Sequence, residues 1–145
     1  MDSKKMLKAS LWYFIAAMVV GVFYRESTKM INFVGKTTLA VVHSHLFSLG
    51  MLLFLILFAL SLNDKFKQHK DSFGIFFKTY NIALPFMVIM MIIRGVVQVF
   101  GIEISKSQSA MISGISGLAH ILVLVAFILL FRFLFKSFNS ETQRG

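Results

Sequence analysis

Cysteine is absent from the 145 residues, so the chain forms no disulfide, thiolate metal site, iron–sulfur cluster or thioether-linked haem. Acidic residues are scarce, with six Asp and Glu against fifteen Lys and Arg, and none of the six lies inside an apolar run. A proton or cation pathway would therefore lack the intramembrane carboxylate that such pathways use. The sequence also has no nucleophile–base set and no phosphate-binding loop. The single proline, Pro85, is expected to kink or begin a helix.

Long apolar runs fill most of the sequence. Hydrophobic residues make up 57% of the chain, compared with about 45–50% in soluble domains, and the mean hydropathy is +0.80. A membrane-spanning helix needs about 20 mostly apolar residues. We therefore predict an all-α integral membrane protein whose single domain, residues 1–145, contains four transmembrane helices at about residues 9–24, 39–62, 80–100 and 109–135. No small-residue cleavage site follows the first run, so it is expected to remain as a helix rather than be removed as a signal peptide.

The positive charges predict an orientation in the membrane. The formal net charge is +9, and the basic residues cluster between the apolar runs, which indicates contact with membrane lipid and not with nucleic acid. Ten of the fifteen Lys and Arg residues lie before the first run, between the second and third, or at and beyond the end of the fourth. The positive-inside rule then predicts a multi-pass protein of the cell membrane with both termini in the cytoplasm.

Three histidines fall in the predicted outer half of the membrane, where polar residues are costly and usually functional. His43 and His45 lie in the second run, and His120 lies in the fourth. Neutral imidazole is a common ligand for iron and other metals. Positions two apart on a helix point about 200° apart, so His43 and His45 cannot bind one metal from the same helix. Either each serves a different centre, or one is a ligand and the other is structural.

The neighbours of these histidines allow two interpretations. Phe47 and Gly50 share the face of His43, which suits a flat macrocycle but also suits ordinary helix packing, whereas Thr38 shares the face of His45. Small residues precede His120 in the segment SGISGLAH, and they either clear space for a cofactor or permit close approach of another helix.

Arg94 is the one charged residue that lies well inside the outer half of a predicted membrane-spanning helix. It needs an anionic partner such as a haem propionate, or it extends to the outer headgroups. His69 lies in a charged loop and is expected to be solvated. For all the histidines in the apolar runs, hydrogen bonding between helices is the structural alternative.

The stretch His43-Ser-His45-Leu-Phe-Ser-Leu-Gly50 resembles the His-x-His segment of the haem–copper oxidase catalytic subunit. In that family the segment lies on a helix that enters from the outer side, and its two histidines face different haems. The oxidase subunit has twelve helices in three arcs of four, and this chain resembles one arc. It is also similar to small four-helix bacterial membrane proteins of unknown function related to that superfamily.

The resemblance implies a b-type haem protein that would assemble as a homotrimer. Its iron would have two histidine ligands, and the protein would transfer electrons with a quinone or a redox protein. The ligands would be His43 and His45 from adjacent subunits, or one of them together with His120, and Arg94, Gly50 and Phe47 would line the cofactor. The histidines of the oxidase copper site have no counterpart here, so oxygen reduction is not expected. The alternatives are a non-haem metal-binding or transport protein that uses the same histidines, and a structural or regulatory membrane protein without a cofactor.

Overall fold

Four long helices account for almost all of the chain. The computed structural model describes residues 2–67 and 70–142, apart from the side chains at positions 65, 67 and 140–142, so the prediction for His69 lies outside the described residues. The helices are α1 (Ser3–Met30), α2 (Leu39–Ser61), α3 (Lys70–Val99) and α4 (Lys106–Thr142). All four contain stretches long and apolar enough to cross a membrane. The prediction of an all-α protein with four candidate membrane spans is thus confirmed.

Helices α1, α3 and α4 extend beyond the predicted spans, because a helix ends where local capping groups stop it and not where its apolar residues end. The Asp2 side chain accepts hydrogen bonds from the backbone N–H groups of Lys4 (3.1 Å) and Lys5 (3.3 Å), which caps α1 six residues before the predicted start. After α3, Gly101 has a φ of 59°, a left-handed conformation that glycine adopts without strain. Pro85 lies inside α3, so it does not begin that helix.

Helix α2 is not uniform along its length. Its first part, Leu39–His45, and its last part, Leu53–Ser61, are α-helical, whereas Leu46–Leu52 between them is a π-helix. A π-helix pairs each N–H with the carbonyl five residues earlier, so it contains more residues per turn than an α-helix. The irregular segment begins at the residue that follows His45.

The helices are arranged as an arc in which each packs against its neighbours in sequence. Helix α1 packs along all of α2, the first part of α2 packs against the last part of α3, and α3 packs along α4. We call the end where α2 and α4 begin the outer end, following the orientation that the charges predict, and the opposite end the inner end.

Aromatic rings connect all four helices in the core. The ring of Phe54 on α2 stacks on Tyr13 of α1, with centroids 5.6 Å apart, and meets the edge of Tyr80 of α3 at 5.7 Å. The Tyr80 ring also contacts Phe127 of α4 at 5.5 Å. Aromatic pairs at these separations are favourable beyond the area that they bury. Most of the remaining surface of α4 is apolar and exposed, which is the composition that a lipid environment requires.

Candidate functional site

His45 and His120 have the same hydrogen-bonding arrangement. The His45 Nδ1 lies 2.8 Å from the carbonyl oxygen of Val41, and the His120 Nδ1 lies 2.7 Å from that of Ser116, four residues earlier in each case. A carbonyl can only accept, so Nδ1 carries the proton in both rings. In the neutral imidazole the lone pair is then on Nε2. A ring nitrogen fixed in this way by a backbone carbonyl is the common arrangement of histidines that ligate metals through Nε2.

Hydrogen bonds at the outer end fix α2 and α4 on either side of one face of α3. Gln98 Oε1 accepts from the Thr38 backbone N–H (2.8 Å) and hydroxyl (3.0 Å) on α2. Four residues earlier on α3, Arg94 Nη1 donates to the Ser113 hydroxyl of α4 at 2.6 Å. Positions four apart share a helix face, so Arg94 and Gln98 mark a single face with α2 on one side and α4 on the other.

The two histidines follow these attachment points at equal intervals. His45 comes seven residues after Thr38, and His120 comes seven residues after Ser113. Seven residues are nearly two complete turns and rise about 10 Å. Each histidine therefore lies on the same flank of its helix as the residue bonded to α3, and about 10 Å further toward the inner end. His45 is half-buried and His120 is exposed within the chain.

Arg94 supplies positive charge at the outer end of this surface. Its side chain is half-buried, and it forms no ion pair with a carboxylate of the described residues. A cavity of about 100 Å³ adjoins it, and its lining includes Gln98 and Ser109. An unpaired guanidinium in a span is costly unless an anion or water compensates it, so Arg94 suits an acidic group of a ligand such as a carboxylate.

His43 lies on a different side of α2, against α1. A Cβ atom built on Gly21 of α1 would be 3.6 Å from the His43 Cβ. The His43 Nδ1 is buried and has no hydrogen-bond partner among the described residues, while its Nε2 lies 3.4 Å from the Ser44 hydroxyl. The opposite orientation of His43 and His45 that the two-residue spacing predicts is therefore present, and His43 belongs to the interface between α1 and α2.

The other predicted site residues on the His43 face also contact α1. The Phe47 ring meets the edge of Phe14 at 6.0 Å. A Cβ atom on Gly50 would come within 2.5 Å of Tyr13 Cγ, so the glycine lets this tyrosine lie against the backbone of α2. The flat group that rests on Gly50 is thus an aromatic side chain of the same chain. The structure does not bring Phe47 or Gly50 together with His120 or Arg94.

Three metal ligands do not meet in one place within the described part of the chain. No group of three His, Asp or Glu side chains that could hold a metal ion is present in residues 2–67 and 70–142. The three histidines are divided instead, with His43 in the α1–α2 interface and the other two on the flanks of α2 and α4 that are bonded to α3. A centre that needs two protein ligands fits this division better than one that needs three or four.

Sequence reasoning identified the histidines and Arg94 but missed two groups that position them. Thr38 and Ser113 are hydroxyl residues seven positions before His45 and His120, and this equal spacing is the signal that pairs the two helices. The hydroxyls that bind the π-helical segment gave no local signal, because they come from α1 and α3. The Tyr80 hydroxyl donates to the Leu49 carbonyl at 2.7 Å, and the Ser10 hydroxyl donates to the Met51 carbonyl at 2.9 Å.

Comparison with known proteins identifies one family. The family described as "Protein of unknown function (DUF2871)" matches residues 3–137. No curated protein and no solved structure matches the chain.

Proposed function

The chain belongs to the DUF2871 family of proteins of unknown function, and we propose on the basis of its own residues that it is a b-type haem-binding membrane protein that transfers electrons. One observation carries this proposal. His45 and His120 flank the same face of α3, and each has its Nδ1 proton bound to a carbonyl so that Nε2 is available to a ligand. The similarity of the His43–Gly50 segment to the His-x-His segment of the haem–copper oxidases gives further support.

In this proposal His45 and His120 of one chain would hold the haem iron through their Nε2 atoms, and Arg94 would bind a propionate. Among the pairings that the sequence leaves open, this one agrees best with the contacts of the three histidines, because His43 is enclosed by α1. Bound haem would supply one-electron redox chemistry, and a haem iron held by two histidines would suit electron transfer rather than oxygen reduction. A quinone or a redox protein is the partner that such a centre requires.

The exposure of His120 supports an oligomeric form of the haem protein. Within the single chain His120 is exposed, so a haem held by it would be open to lipid on one side. A neighbouring subunit would cover the open side of the surface between α2 and α4. We propose a homotrimer, by analogy with the three arcs of the oxidase subunit, in the cell membrane with both termini in the cytoplasm.

Optical spectroscopy of the protein purified in detergent tests this function. The protein is expressed with ample haem, haem is quantified per chain, and spectra are recorded before and after reduction with dithionite. We expect about one haem per chain and the sharp reduced α-band of a bis-histidine b-type centre. His45→Ala and His120→Ala should each lose this spectrum, and His43→Ala is the control that should retain it.

Three results would contradict the proposal. A colourless wild-type protein would remove the haem, and metal analysis would then test the non-haem alternative. Loss of the spectrum in His43→Ala, with retention in His120→Ala, would favour ligation by His43 and His45 from adjacent subunits. An unchanged spectrum in both His45→Ala and His120→Ala would exclude the pairing proposed here.

A further inference from the structure

A groove near the inner end of the arc lies between α1 and α3, and none of its lining residues belongs to the candidate haem site. It consists of two cavities, of about 490 Å³ and 520 Å³, which share the lining residues Lys5 and Phe77. The larger of the two extends toward the middle of the helices as far as Trp12 and Pro85. Trp12 and Pro85 lie seven or eight residues further along their helices than the groove residues at the inner end, a distance of about 10–12 Å.

The mouth of the groove is strongly cationic. Four lysines line the two cavities, namely Lys5, Lys8, Lys70 and Lys78. The one carboxylate in the lining belongs to Asp2, and it lies 3.8 Å from the Lys5 ammonium. The other three lysines form no ion pair with another described residue. The groove therefore has a net positive charge, because one carboxylate lies among four lysines.

The walls of the groove below the lysines are apolar. Phe73 and Met6 are buried at its base, and the Trp12 ring is 69% exposed along its outer part. Gly74 contributes no side chain, and a Cβ atom built on it would meet nothing within 4 Å. A ligand that matches this surface has an anionic head and an apolar chain. Lysines at this position have aliphatic stems that cover apolar surface while their charges reach the headgroup region.

We propose that this groove binds one anionic phospholipid of the phosphatidylglycerol type. The headgroup phosphate would lie among the four lysines, and one acyl chain would lie along Phe77 toward Trp12. Attraction between basic residues and anionic lipid supplies the selectivity for charge, and the apolar walls select a lipid over a free phosphate. This site is independent of the haem proposal, since it shares no residue with the surface between α2 and α4.

Native mass spectrometry of the full-length protein in detergent tests the site. The protein is titrated with equimolar phosphatidylglycerol and phosphatidylcholine, and bound lipids are counted per chain. Lys70→Gln/Lys78→Gln removes two charges from the groove. Lys4→Gln/Arg132→Gln is the matched control, because it removes two charges near the same end that do not line the groove. Gly74→Leu retains every charge but fills part of the smaller cavity, where the headgroup and the first part of the acyl chain would lie.

We expect one tightly held phosphatidylglycerol per chain and much weaker binding of phosphatidylcholine. The groove double variant should bind phosphatidylglycerol about thirtyfold more weakly, which follows from about 1 kcal/mol for each lysine near a lipid surface. Gly74→Leu should also lose the lipid, whereas the control variant should retain it.

Equal retention of the two lipids would overturn the proposal, and so would equal losses in the groove and control double variants. Retention in Gly74→Leu would also overturn it, because it would show that the lipid does not enter the smaller cavity and that only the charges act. The site would be assigned to free phosphate if inorganic phosphate displaced the lipid at concentrations where chloride of the same ionic strength does not.

Discussion

Two glycines show how the same residue type has different consequences at different positions. Gly50 faces Tyr13, and a Cβ atom there would lie 2.5–2.7 Å from the first atoms of the tyrosine side chain. Those atoms are close to the backbone of α1 and cannot rotate away. Gly114 on α4 has nothing within 4 Å of the corresponding position. The sequence shows that both are glycines in apolar runs, but the partner of Gly50 is far from it along the chain, so no local pattern predicts the difference.

Gly50→Ala is therefore expected to destabilise the protein by about 1–3 kcal/mol, the usual cost of adding a group to a packed interface. Gly114→Ala should be neutral or should stabilise α4 by up to about 1 kcal/mol, because alanine is the better helix former. Thermal unfolding of the two variants in the same detergent measures the difference. Equal unfolding temperatures for both would show that α1 and α2 are not in close contact at Gly50.

At the level of helices, the hydropathy of the sequence predicts which segments are helical but not how each is wound. The bounds predicted for α2, residues 39–62, agree closely with the helix, yet nothing in its composition indicates the π-helical segment Leu46–Leu52. Its carbonyl groups receive hydroxyl donors from α1 and α3. The winding therefore depends on tertiary contacts. The same limit applies to the histidines, whose positions along the helices follow from the sequence and whose partners on other helices do not.

Tyr80→Phe tests the contribution of one of these hydroxyl donors. The change retains the ring contacts with Phe54 and Phe127 but removes the hydrogen bond to the Leu49 carbonyl. We expect a loss of about 1 kcal/mol in the free energy of unfolding. Tyr24→Phe near the end of α1 removes a hydroxyl that forms no hydrogen bond with the described residues, and it should leave stability unchanged. If both variants are equally stable, the Tyr80 hydroxyl does not support the π-helical segment.

For the whole molecule, composition predicts that the protein lies in a membrane, and charge predicts the direction in which it is inserted. The apolar exterior of four long helices agrees with the predicted membrane protein, whereas the direction of insertion follows only from the distribution of Lys and Arg. The absence of cysteine is useful here, since any introduced thiol is unique in the chain.

Single cysteines in two loops measure the orientation. Val34, in the α1–α2 connection, is 96% exposed, and Leu62, after α2, is 63% exposed. With both termini in the cytoplasm, Val34→Cys should react in intact cells with a maleimide that cannot cross the membrane. Leu62→Cys should react only after the cells are permeabilised. The reverse pattern would invert the predicted topology and would transfer the histidines to the cytoplasmic half of the membrane.

The π-helical segment of α2 fixes how one half of that helix is rotated relative to the other. Because this wide turn accommodates about one residue more than an α-helical turn, the half with His43 and His45 is out of helical phase with the half that contains Phe54. Deleting one residue within Leu46–Leu52 would therefore restore continuous α-helical winding while both halves stay close to their present orientation. The chain can thus gain or lose one residue at this position while the histidines keep their direction relative to the aromatic core.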